Sequence, residues 1–292
     1  MTTAAYPTGT NPTTHQPTDA GLAGGGRLRL GAALRSAGRP LLVAYVTGGI
    51  TADWTEYLLA YQDAGADAIE VGLPFSDPML DGPTIQEASD RALARGATVD
   101  SILADIAATP LRVPVVVMTY ANIVLRTGIA ALAAAGVSGL IVPDLPLEES
   151  AGLEAEAAAA GLELVLLAAP ATPDDRLREI CARSRGFLYA ISVMGTTGER
   201  TTLAASAGTL AARVKAVTDL PVLLGFGVST PAQAAEAGRA GDGAVIASAL
   251  MRRVLDGASA GALGADVAGF RAALDLGVSP GTPHAEVSGH RG

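Results

Sequence analysis

Short apolar runs alternate with longer amphipathic, alanine-rich stretches along most of this chain. The runs are LLVAYVT from Leu41, ADAIEVG from Ala66, PVVVMTY from Pro114 and GLIVPD from Gly139. LELVLLAA from Leu162, FLYAIS from Phe187, PVLLGFG from Pro221 and GAVIAS from Gly243 follow. Most are continuously apolar rather than alternating, the pattern of strands covered on both faces in a parallel sheet. The segments between them carry helical periodicity: TADWTEYLLAYQDAG, PTIQEASDRALARG, GIAALAAAG, EESAGLEAEAAAAG, TPDDRLREICARS, TLAARVKAVTD and TPAQAAEAGRA. Several open on Thr or Asp beside Pro or Glu and close on Gly, which is helix-capping chemistry.

A weak repeat sets the architecture. AGADAIEV at Ala64, AGVSGLIV at Ala135 and AGDGAVIA at Ala240 are separated by 71 and 105 residues, near two and three multiples of a 35-residue unit. Each marks a helix end feeding a strand, so the unit is one β/α turn. Eight units predict an α/β fold of the (β/α)8 TIM-barrel class over residues 27–275, with an extra helix near Leu28–Ser36 covering its bottom. A doubly wound open sheet is the competing fold, but Gly48-Gly49 is followed by Ile50 and no GxGxxG appears. Residues 1–26, rich in Thr, Pro and Gly, and residues 276–292 read as flexible tails.

Composition narrows the partners. The formal charge is −9, from 20 basic and 29 acidic residues, with no basic stripe, so nucleic acid is not expected. An anionic ligand remains compatible, because backbone amides can hold phosphate without net positive charge. No apolar run reaches the length of a membrane span, and the N-terminus lacks the features of a secretory signal. Cys181 is the only cysteine, lies in a helical pattern and reads as a packing residue; its usage fits a cytoplasmic protein. His15, His284 and His290 all fall in the tails, which disfavours a histidine triad or zinc site. No metal set is expected.

Active sites of this fold lie at the C-terminal ends of the strands. Glu70 interrupts an apolar strand, where an ion costs several kcal/mol unless paired or functional. Such a carboxyl acquires a raised pKa suited to acid–base work; a structural glutamate is the alternative. Asp77 and Asp81 follow in PFSDPMLDGPTIQ, a proline-punctuated loop. Asp81 can reach back over the mouth toward Glu70, or either aspartate can simply organise the turn. Asp144 ends the fourth strand and either faces the mouth or pins a loop. Tyr120 and Asn122 end the third strand, Tyr45 and Thr47 the first, and Tyr189 lies in the sixth; each either lines the pocket or packs the core. Three glycine-bearing elements follow the late strands: GTTGER, GFGVST and ASAL. Gly227 and Ser248 are the natural phosphate contacts, with Gly198 contributing from the sixth loop.

These motifs resemble the tryptophan synthase alpha subunit family from about Leu41 to Leu255. IEVGLPFSDPMLDGPTIQ is the most specific segment, and MTYANIV, IVPDLPLEES, MGTTGER, GFGVS and ASA agree in order. The resemblance implies cleavage of indole-3-glycerol phosphate to indole and glyceraldehyde 3-phosphate, a retro-aldol step. It implies that Glu70 is the catalytic acid–base and that Asp81 hydrogen-bonds the indole nitrogen. It places Tyr45 and Tyr120 on the indole side of the pocket and Tyr189 near the glutamate. Gly198, Gly227, Ala247 and Ser248 match phosphate positions, and Thr197 a closing loop. Asp77 matches a residue tied to the partner, the beta subunit of an alpha2beta2 tetramer. No cofactor is implied in this chain, since pyridoxal phosphate belongs to that beta partner.

Three departures from the family pattern stand out. TGGITAD lacks a proline after the glycine pair, which implies a looser turn; Thr196 replaces a usual valine; and Ala247 stands where glycine is common. Alanine costs about 1 kcal/mol there if that position needs positive φ. A free-standing lyase, a metal-using phosphosugar epimerase or isomerase, and a non-catalytic binding barrel are the competing functions.

Overall fold

The eight apolar runs form eight parallel strands that close on themselves in sequence order. The computed structural model describes residues 28–191, 200–225 and 227–277. Helix α1 (Leu30–Ser36) precedes β1 (Leu41–Thr47), and α2 (Trp54–Asp63), β2 (Ala68–Gly72), α3 (Pro83–Ala94) and α4 (Val99–Ala108) follow. Next come β3 (Val115–Met118), α5 (Ala121–Thr127), α6 (Ile129–Ala134), β4 (Gly139–Ile141), α7 (Ala151–Ala159) and β5 (Glu163–Ala168). The chain continues through α8 (Asp174–Arg183), β6 (Leu188–Ala190), α9 (Arg200–Lys215), β7 (Val222–Leu224), α10 (Pro231–Ala240) and β8 (Gly243–Ile246). Helices α11 (Ser248–Leu255) and α12 (Ala260–Leu276) complete it.

All seven helical stretches read from periodicity are helices, and four more exist that the pattern did not single out: α4, α5, α11 and α12. Two of these carry caps visible in the sequence. Thr98 and Ser101 form a reciprocal capping box on α4, and Ser259 Oγ accepts the Ala262 N–H on α12. Helix α5 begins so soon after β3 that its first residues read as strand. Asn122, expected at the end of the third strand, therefore lies in the first turn of α5 and is exposed.

Two cores follow from strand parity. Leu42, Ala44 and Val46 face the helices, whereas Leu41 and Val43 face the axis with Ala68, Val116, Ile141 and Val165. Leu30 and Leu34 of α1 join this inner cluster, so the expected bottom-covering helix is a plug whose apolar side chains enter the barrel. Glu163, at the start of β5, accepts the Gly31 N–H at 2.5 Å and holds the first turn of α1. Asp67, just before β2, accepts from Arg39, Arg271 and the Leu42 amide, fastening β1, β2 and α12 together. The inner core is thus sealed from below and open above.

The turn after β1, expected to be loose without a proline, is anchored instead. Gly48 N–H donates to Gly72 O at 2.9 Å, and Ile50 is fully buried. Among the described residues no helix is long and apolar enough to cross a membrane, and no group of three His, Cys, Asp or Glu side chains is arranged to hold a metal.

Leu30→Ala is expected to lower unfolding free energy in urea by roughly 2–5 kcal/mol, the usual cost of a large apolar deletion in a closed core. Leu276→Ala, at a side chain 85 % exposed, is expected to change it by less than about 0.5 kcal/mol.

Candidate active site

Strand alternation carries the inner face upward from the apolar layer to a set of polar groups. Glu70 stands two residues beyond Ala68, in register with Tyr45 on β1 and Val116 on β3. It is 1 % exposed, and its Oε2 has no hydrogen-bond partner among the described residues. It sits in the middle of β2 rather than at its end. Burial, and secondarily the negative charge of Asp81, push its carboxyl up to about 8. At neutral pH this group holds a proton.

Two tyrosines share that layer, each accommodated by a glycine at or just past the end of the next strand. A Cβ on Gly72 would collide with the Tyr45 hydroxyl, and one on Gly225 with the Tyr189 ring. In both pairs the glycine lies two residues past the tyrosine's register partner, so the ring leans toward the open end. Tyr45 Oη lies 3.3 Å from Thr47 Oγ1. Burial raises both phenols, and Tyr45 is the register partner of Glu70 on β1. Thr47 is fully buried and supports Tyr45. Met118, Leu167 and Ile191, half-buried against the inner cluster, add an apolar wall that sequence reasoning missed. Their signal was parity: each follows an inward residue by two positions.

Asp81 lies above, between β2 and α3. It does not hydrogen-bond Glu70; Tyr120 Oη donates to its Oδ2 at 3.0 Å. Burial raises the Asp81 pKa and the Tyr120 bond opposes that rise. Tyr120 lies two residues past the end of β3, at the N-cap of α5, and its ring contacts Phe75 at 4.9 Å. Gln86 donates to Asp81 O at 2.8 Å, and Pro83 opens α3 as the motif predicts. Asp77 is exposed and organises the turn, accepting from Ser76 Oγ at 2.6 Å. Asp144, three residues beyond β4, points sideways and accepts the Ala121 N–H at 2.8 Å, at the start of α5. Asp77 thus bonds within its own turn, and Asp144 ties its loop to the start of α5.

At the far side of the mouth, β7 and β8 are neighbours, so the loops that follow them lie together. Gly227 takes φ +57°, a conformation that favours glycine. Ser248 opens α11, whose first amides lack intrahelical acceptors and face an anion favourably. Ala247 has φ −115°, so alanine there carries no left-handed strain. Thr196, Thr197 and Gly198 fall outside the described residues.

A closed eight-stranded barrel with a proton-bearing carboxyl inside its mouth, a second carboxylate above it and free helix amides opposite defines a barrel enzyme of the acid–base type. The chain matches the family model for the tryptophan synthase alpha chain over residues 32–266. It is 44 % identical to the tryptophan synthase alpha chain of Picosynechococcus over 241 residues, covering 80 % of this chain and 91 % of that one. It is 45 % identical to the Streptomyces coelicolor alpha chain over 238 residues, covering 77 % and 86 %. Among solved structures, tryptophan synthase of Mycobacterium tuberculosis superposes with TM-score 0.77 at 39 % identity, covering 85 % of this chain and 98 % of that chain. A mutant tryptophan synthase alpha subunit from Pyrococcus furiosus superposes at 0.73 and 34 % identity, covering 80 % and 98 %. The chain belongs to the tryptophan synthase alpha chain family.

Because the folded protein keeps the Glu70 proton that an unfolded chain releases near pH 4.5, stability falls as pH rises from there to about 8. Glu70→Gln is expected to remove that slope. Its thermal midpoint should match the wild type near pH 5 and exceed it at pH 9, by an amount equivalent to a few kcal/mol. Parallel midpoint curves across that range would mean that Glu70 ionises normally.

Proposed function

We propose that this chain cleaves indole-3-glycerol phosphate to indole and D-glyceraldehyde 3-phosphate, as the alpha component of tryptophan synthase in tryptophan biosynthesis. The observation that carries the reading is the buried Glu70 carboxyl, whose Oε2 has no hydrogen-bond partner among the described residues and which bears a proton at neutral pH. Cleavage of this bond requires an electron sink in the indole ring, and protonation of the ring carbon bearing the side chain creates one. Glu70 supplies that proton. Its carboxylate then accepts the proton of the adjacent glycerol hydroxyl as the carbon–carbon bond breaks, and the bonding pair returns to the ring. The carboxyl ends in its starting state, so one residue serves both transfers.

Asp81 hydrogen-bonds the indole N–H and stabilises the cationic intermediate, a role for an ionised carboxylate. Its hydrogen bond from Tyr120 favours that ionised form. Tyr45, Tyr120, Met118 and Leu167 form the surface against the ring, with Tyr189 beside Glu70. Gly227 and the first amides of α11 at Ser248 hold the phosphate, joined by Thr197, Gly198 and Ala247.

The rim also supports a partner. Met79, Leu80 and Leu125 are 85, 59 and 79 % exposed, and all three lie on elements joined to Tyr120. Exposed apolar groups gathered beside a site mark a docking surface. The partner is the pyridoxal-phosphate beta subunit, in an alpha2beta2 assembly that receives indole directly. This favours the subunit over a free-standing lyase.

Indole release should be slow for the isolated chain and rise at least about tenfold with a beta subunit, a change of roughly 1.4 kcal/mol in barrier. Equal rates with and without it would refute the subunit reading. Glu70→Gln should lose roughly 10²–10⁴-fold in turnover while still binding glyceraldehyde 3-phosphate; retained turnover would remove Glu70 from the chemistry.

A further inference from the structure

We infer that the Tyr120 hydroxyl is a positioning residue that sets the Asp81 carboxylate and, through the same oxygen, the backbone of the loop that carries it. This rests on the reading of Asp81 given above and adds to it. A phenol has one proton and accepting lone pairs. Tyr120 donates that proton to Asp81 Oδ2 at 3.0 Å and accepts the Leu80 N–H at 3.1 Å. With its only proton committed, the hydroxyl is no donor to substrate; its work is done through Asp81.

The hydroxyl is itself held from three directions. Its residue is 6 % exposed, and its ring is in contact with Phe75. Its carbonyl accepts the first-turn amides of Ile123 and Val124 at 3.0 and 3.2 Å. The adjacent Ala121 N–H is held by Asp144 from the loop after β4. A continuous path therefore runs from Asp144 through the start of α5 and Tyr120 to Asp81 and Leu80. It converts a loop aspartate into one fixed relative to the barrel.

Tyr120→Phe keeps the ring and removes only the hydroxyl, so the barrel should stay folded, with a thermal midpoint lowered only by the loss of these two loop hydrogen bonds. In the alpha–beta complex, kcat for indole release is expected to fall roughly 10- to 100-fold, the range for a hydrogen bond to a charged group, with KM changed less than about twofold. In an Asp81→Ala background the same substitution should cost less than about twofold, because it acts through the missing carboxylate. Full additivity would overturn the proposal. Asp144→Ala offers a second variant with ring and hydroxyl intact: an intermediate loss of about threefold that disappears in the Asp81→Ala background is expected, and an equal loss in both backgrounds would overturn it. Amide exchange at Leu80 gives a readout independent of catalysis. Tyr120→Phe should accelerate it at least about fivefold, and an unchanged rate would overturn the proposal. A wild-type complex that releases no indole would refute the lyase reading, while Leu80 exchange would still decide whether the hydroxyl holds the loop.

Discussion

A carboxyl enclosed by parallel strands has no water to solvate its charge, and an unpaired ion there costs several kcal/mol. Glu70 meets that constraint by remaining neutral. Its neighbours in register are a tyrosine and a valine, and neither neutralises it. Beneath it the inner face is apolar, and Leu30 and Leu34 close the lower end. The plug helix thus closes the inner face on the side away from the mouth.

The same constraint separates the two carboxyls. The charge of Asp81 adds to the cost of ionising the buried Glu70. The fold resolves this by environment. Glu70 receives no donor among the described residues, whereas Asp81 receives the Tyr120 hydroxyl. Burial pushes both toward the acid form, but only at Asp81 does a hydrogen bond oppose that rise, so two like groups stand in different electrostatic environments. The phosphate end follows a parallel logic. A chain of charge −9 offers backbone amides at α11 and a left-handed glycine after β7, partial charges that burial does not penalise as it does a full ion.

Much of this was legible before the fold was known, and the boundary has physical causes. Strand runs were visible because both faces of a parallel barrel strand are buried, so Leu41–Thr47 stands out as uninterrupted apolar sequence. Glu70 was visible as a violation of that pattern. Asn122 was misplaced because α5 starts three residues after β3 and its first turn continues the strand's composition. Asp144 looked like a mouth residue by position, but its bond to Ala121 depends on a neighbouring loop's path. The glycines opposite Tyr45 and Tyr189 were hidden for a related reason. Their meaning lies in register between strands, and nothing local distinguishes them from turn glycines.

The loop from Ser76 to Gly82 joins two demands that usually conflict. Met79 and Leu80 present apolar surface outward, while Asp81, one residue on, needs a fixed position. A loop free enough to adapt to a docking surface would leave that carboxylate undefined. Tyr120 relieves the conflict by holding Leu80 and Asp81 on one oxygen. Each such bond is worth only about 1–3 kcal/mol, close to the thermal cost of shifting a loop between substates. A hold of that strength is firm enough to define the site and weak enough for contact at Met79 or Leu80 to alter it. The exposed rim and the Asp81 carboxylate are therefore tied together by the same few hydrogen bonds.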